Sequence, residues 1–166
     1  MILALLRHGI AEDAGPDTGW RDEPRRLTNE GVERMRRAAR GMAGLELTPE
    51  AVLTSPLTRC TETAGLVADR LGVSVRTHPM LGPGMRIDDL MDLVAEYPDA
   101  TGLIVCGHQP DLSLVVADLT GASVEFRRGG LAVMRLEGLR HAGGTLLGLY
   151  PPRVLRRLGR ADPSDR

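Results

Sequence analysis

The sequence predicts an α/β fold in three layers, with a mostly parallel central sheet and helices on both faces. Three observations predict it. Continuous apolar runs at residues 2–6 and 102–106 are too short for helices and read as strands covered on both sides. Between such runs lie segments whose apolar residues recur every three or four positions, the period of an amphipathic helix. The resulting order, strand then helix four times over, is that of a parallel sheet with crossover helices. At 166 residues the chain has the length of about one domain.

Residues 2–6 form the first strand, and a polar, turn-rich loop follows from Gly9 to Arg26. Thr28 is a helix N-cap with Glu30 in the first turn, and Val32, Met35, Ala39 and Met42 share one helical face. Residues 51–54 read as the second strand. Ser55 and Pro56 then supply an N-cap and a proline at the first helical position, and the helix runs to Gly72. A short strand over 73–77 and a Gly/Pro loop over 78–86 precede a helix over 88–97 that stops before Pro98. After the strand at 102–106, Pro110 opens a helix closed by Gly121. Residues 131–136 and 145–150 are the last strands, joined by a turn that holds His141. The domain is expected to span 1–150, and 151–166 to be a frayed, Arg/Pro-rich tail.

Composition excludes several functions. All 21 basic residues are arginine, so no lysine is available for a Schiff base or a Walker-A loop. A net charge of -1 and four scattered aromatic residues (Trp20, Tyr97, Phe126, Tyr150) argue against nucleic acid as a partner. Cys60 and Cys106 form no CxxC pair and read as buried, reduced thiols. His78 and His141 have no carboxylate cluster at ligand spacing, so no metal is expected. The apolar start is stopped by Arg7, and no run approaches the ~18 residues of a membrane span, so a cytoplasmic protein without a membrane partner is expected.

In parallel sheets, sites form beyond the carboxyl ends of the strands. Three of those ends carry unusual residues: Arg7-His8-Gly9, Thr54-Ser55-Pro56-Leu57-Thr58-Arg59 and Gly107-His108-Gln109-Pro110. If they converge, two arginine forks and two helix N-termini surround two histidines, a setting suited to phosphate. Positive neighbours would keep His8 neutral and nucleophilic, and His108 could donate to the transferring phosphoryl. Gly9, with no side chain, would let substrate approach closely.

The same residues resemble the histidine phosphatase superfamily, the phosphoglycerate-mutase-like fold, over roughly 1–150. The resemblance rests on Leu6-Arg7-His8-Gly9, on Ser55-Pro56-Leu57-Thr58-Arg59-Cys60-Thr61-Glu62-Thr63 and on Gly107-His108. It implies that His8 becomes a phosphohistidine, that Arg7, Arg59 and His108 complete the phosphate pocket, and that no cofactor is needed. Ser55 and Thr63 match the motif, with structural roles favoured, and Ser55 is also a candidate substrate-binding residue. The short length and the stretch Asp22-Glu23-Pro24-Arg25-Arg26-Leu27-Thr28-Asn29-Glu30-Gly31 are similar to the SixA-type phosphohistidine phosphatases, which makes Arg25 a candidate substrate-binding residue.

One departure bears on substrate. Mutases and phosphomonoesterases of the superfamily carry a catalytic glutamate after the third strand, whereas residues 78–86 contain no carboxylate. Glu12, Asp13 and Asp88 are the remaining candidates for a general acid. An alkoxide needs a proton to leave, an effect of about 10²–10⁴-fold. A ring-protonated imidazole does not. The expected substrate is therefore a phosphohistidine-bearing protein. The alternatives are a phosphorylated small metabolite, or a module that binds phosphate without turnover.

Overall fold

The computed structural model describes residues 1–138 and 142–160. His141 lies outside the described residues. The strands are β1 (Ile2–Arg7), β2 (Ala51–Thr54), β3 (Ser74–Thr77), β4 (Gly102–Gly107), β5 (Leu131–Leu136) and β6 (Gly144–Tyr150). The helices are α1 (Asn29–Ala43), α2 (Thr58–Leu71), α3 (Ile87–Ala95), α4 (Asp111–Thr120) and α5 (Pro152–Leu158).

All six strands form one sheet in the order β3-β2-β4-β1-β5-β6. The first four are mutually parallel, while β5 runs antiparallel to β1 and β6 antiparallel to β5. Residues 2–6 of β1 are all apolar because the strand is covered on both faces. Leu3 and Leu5 pack with Leu90, Leu112 and Phe126 on the side of α3 and α4. Ala4 and Leu6 pack with Met35, Val67 and Leu155 on the side of α1, α2 and α5. The edge strand β3 is exposed throughout. No helix of the described residues is long and apolar enough to cross a membrane.

Two expectations change. Residues 152–158, expected to fray, form α5, which packs on α1 with Leu155 fully buried. Pro152 opens the helix, and Gly41 of α1 supplies the close approach. A Cβ on Gly41 would strike the backbone carbonyl of Leu155. Gly41→Ala should therefore destabilise the fold. Overpacking against backbone costs about 1–3 kcal/mol, more than the roughly 1 kcal/mol of helix propensity gained. A drop in Tm of roughly 2–8 °C is expected, and an unchanged or higher Tm would contradict this docking.

The second change concerns α2, which begins at Thr58 rather than directly after Ser55. Ser55 does not cap it in the expected way. The Thr58 amide instead donates to the carbonyl of Glu23, 3.1 Å away in the loop after β1.

Candidate phosphoryl site

Register brings the three motifs together. Arg7 pairs with Gly107 and Thr54 with Cys106, so β1, β2 and β4 end at one level and His8, Ser55 and His108 leave the sheet side by side. Their backbones are stitched there: His8 donates to the Gly107 carbonyl at 3.3 Å and Ser55 to that of Cys106 at 3.1 Å.

His8 is buried. Its Nδ1 lies 2.7 Å from the Gly9 carbonyl, which fixes the proton on Nδ1. Nε2 therefore keeps a lone pair, which accepts from Arg59 Nε at 3.3 Å. The His8 and His108 ring centroids are 5.6 Å apart. Burial lowers the His8 pKa to about 3; the Gly9 carbonyl opposes this, and Arg59, His108 and Arg7 add to it. The imidazole is thus neutral at pH 7.

This has a stability consequence. Between about pH 6.5 and pH 3 the unfolded chain takes up a proton at His8 that the folded chain refuses. Stability should therefore rise with pH across that window, by up to about 1.4 kcal/mol per unit from this group. Denaturant titrations at several pH values should show a shallower slope for His8→Ala than for the native chain. Equal slopes would mean that His8 is not held neutral.

Arg59 and His108 interlock with it. Arg59 Nη2 is 3.4 Å from His108 Nδ1. On the far side, His108 Nε2 meets Ser55 Oγ at 2.8 Å, and that hydroxyl accepts from the Leu57 amide at 3.3 Å. Ser55 therefore orients His108 from behind rather than facing a substrate. Thr63 has a similar supporting place: its hydroxyl donates to the Arg59 carbonyl at 2.6 Å and accepts from the Gly9 amide at 3.0 Å. Cys60 and Cys106 are buried free thiols beneath the site, with Cys60 Sγ 3.6 Å from His108 Nε2. Hydrogen bonding to Cys106 and the neighbouring His108 lower the Cys60 pKa, whereas burial raises that of Cys106.

The other named residues lie further out. Arg7 turns to the Phe126 carbonyl, 2.6 Å from Nη1, and acts on His8 through charge. The space a Gly9 side chain would need is filled by Met35 and Leu27, so this glycine serves packing within the chain. Arg25 binds the Glu12 carbonyl at 2.5 Å and Asp22 Oδ1 at 2.7 Å. Glu12, Asp13 and Asp88 are exposed. His78 caps a single helical turn, accepting from the Met80 amide at 3.4 Å.

The carboxylate that does reach the site is Asp22. Its Oδ2 accepts from Arg59 Nη2 at 2.8 Å and its backbone carbonyl from Nη1 at 2.9 Å. Burial pushes its pKa up, but hydrogen bonds from Arg59 and Arg25 outweigh that and hold it below its ordinary value. An ionised carboxylate is a poor proton donor. Asp22 instead occupies the face of the Arg59 fork that would otherwise clasp an oxyanion.

Residues 3–82 match the family model of the histidine phosphatase superfamily (branch 1). An uncharacterised protein of Picosynechococcus sp. is 31% identical over 166 residues, 93% of this chain and 99% of its own. Among solved structures, the protein histidine phosphatase SixA complexed with tungstate matches at TM-score 0.81 and 25% identity, covering 93% of this chain and 99% of that one. A proposed phosphohistidine phosphatase SixA from Nakamurella multipartitia matches at TM-score 0.78 and 27% identity, covering 91% and 95%.

Proposed function

The chain belongs to the histidine phosphatase superfamily, with a SixA-type fold, and from that premise we propose that it hydrolyses protein phosphohistidine through a phosphoryl-enzyme formed on His8. The observation that carries the reading is the tautomer of His8. With Nδ1–H held by the Gly9 carbonyl, the Nε2 lone pair faces the Arg59 guanidinium.

In the first step Asp22 gives way and Arg59 clasps the phosphoryl oxygens, with Arg7 adding positive charge and His108 bordering the group. His8 Nε2 attacks phosphorus in line with the leaving nitrogen. The new N–P bond forms as the old one breaks, and its electron pair goes to the departing imidazole. That ring, already protonated on its other nitrogen, leaves neutral. The charge that develops on His8 is stabilised by the Gly9 carbonyl. In the second step water attacks phosphorus, the electron pair returns to Nε2, and both water protons end on orthophosphate. Neither step demands a side-chain acid, which agrees with a site whose near carboxylate is ionised.

The test is to supply the purified chain with a phosphohistidine-bearing protein and with a simple alkyl phosphate. Faster loss of phosphohistidine, by about 10²-fold or more in kcat/KM, is expected from the missing acid. Equal or faster ester cleavage would overturn the preference and point to a small metabolite. Phosphate binding without turnover of either would make the chain a binding module.

A further inference from the structure

A cleft of about 850 Å³ opens on the side to which Arg7 turns, lined by Arg7 and Gly9, the two chain neighbours of His8. It lies between the N-terminal half of α1, the turn before β5 and the start of α5. Six guanidinium groups line it, those of Arg7, Arg34, Arg127, Arg128, Arg153 and Arg156, against one carboxylate, that of Glu125. Arg34 is paired with Glu30, and Arg127 approaches Glu125 at 3.9 Å. Arg128, Arg153 and Arg156 have no ion pair among the described residues. Arg7 Nε is buried without a hydrogen-bond partner. The volume falls in the range of small-molecule sites, roughly 300–1,000 Å³.

Crowding like charges around one concave space is unfavourable unless an anion fills it. Burial and then Arg128 lower the pKa of Arg7, and burial and then Arg34 lower that of Arg156. Arg7 belongs to both places, because it leaves β1 directly beside His8 and lines the cleft. An anion in the cleft therefore meets the guanidinium of the residue that directly precedes His8 in the chain.

A phosphoanhydride, like a phosphoimidazole, needs no acid to depart, because a phosphate chain is a stable anion in its own right. We propose that the arginine cleft holds the phosphate chain of a small phosphoanhydride, such as a linear polyphosphate or a nucleoside polyphosphate, whose terminal phosphoryl group is transferred to His8. In that step His8 Nε2 bonds to the terminal phosphorus and the P–O bond to the bridging oxygen breaks. The electron pair stays on the bridging oxygen, and the shortened chain departs as an anion among the arginines. Water then releases orthophosphate as described above. The inference rests on the His8 chemistry proposed above and adds a substrate class to it.

Inorganic tripolyphosphate is the probe, assayed in the presence of a chelator by orthophosphate release. The His8→Ala variant and p-nitrophenyl phosphate report the shared His8 chemistry. Arg128→Ala and Arg153→Ala alter two exposed cleft positions, and Arg76→Ala on the exposed β3 removes a charge elsewhere. The expected result is His8-dependent release from tripolyphosphate, with kcat/KM reduced about tenfold or more by each cleft variant and not by Arg76→Ala. Calorimetry on His8→Ala should also show tripolyphosphate binding at least tenfold tighter than orthophosphate. Cleavage of p-nitrophenyl phosphate without cleavage of tripolyphosphate would overturn the inference and leave the His8 chemistry standing. So would equal effects of the cleft and Arg76 variants, or a cleft effect confined to a phosphohistidine protein, which would make the cleft a docking face for acidic side chains. If the native chain cleaves neither compound, the inference is overturned, and loss of phosphohistidine from a protein substrate then decides whether the His8 chemistry stands.

Discussion

His8→Ala should lose turnover by about 10³-fold or more on every phosphoryl substrate, because the step it removes has no substitute nearby. Cys60 lies behind His108, and the Asp22 carboxylate is bound by two arginines. The variant should fold, since truncating a neutral, desolvated ring removes a group that opposes stability in acid. Circular dichroism verifies this before activity is read. Brief reaction with labelled phosphohistidine protein, followed by quenching in base, should trap an acid-labile phosphoryl group on the native chain and none on the variant. Turnover within tenfold of the native rate would remove His8 from the role of nucleophile.

The second large effect is expected at Arg59. Arg59→Ala removes the donor to His8 Nε2 and the fork now occupied by Asp22. A loss of about 10²–10³-fold in kcat/KM is expected, the magnitude of removing a preorganised donor to developing negative charge. Arg59→Lys should recover little, because an ammonium cannot present two parallel donors. Asp22→Asn should act with the opposite sign on KM, lowering it, since the anion that competes for the fork is replaced by a neutral amide. Combined with Arg59→Ala, it should have no further effect on KM. An independent effect of Asp22→Asn in the absence of Arg59 would show that Asp22 touches the substrate by itself.

Most of the sheet is legible in the sequence because burial on both faces leaves a residue-level mark: residues 2–6 and 102–106 are unbroken apolar runs. Strand ends are legible for the same reason, since His8, Ser55 and His108 are the first polar groups after such runs or one residue beyond them. The start of α2 is misread because Ser55-Pro56 has the composition of a cap while the serine hydroxyl is engaged by His108. α5 is missed because the Arg-rich composition of 152–158 hides Leu155, although Pro151-Pro152 is a helix-opening signal. Asp22 is missed for a deeper reason. It meets Arg59 only because the Glu23 carbonyl docks on the N-terminus of α2, a contact across 35 residues that no local spacing encodes.

The placement of β1 inside the sheet has a consequence for timescales. It is hydrogen-bonded on one side to β4 and on the other to β5, so its amides are released to solvent only when the sheet as a whole comes apart. The Asp22 segment is held differently, by Arg59, by Arg25, by the Thr58 amide and, further along, by Glu62 gripping Arg26 and the Leu27 amide. Those bonds can break without disturbing the core. His8 thus directly follows a strand expected to exchange slowly, and the Asp22 carboxylate sits on a segment expected to exchange faster. Deuterium uptake would separate the two by orders of magnitude in rate, with the fixed half supplying alignment and the yielding half setting how often the phosphoryl site is open.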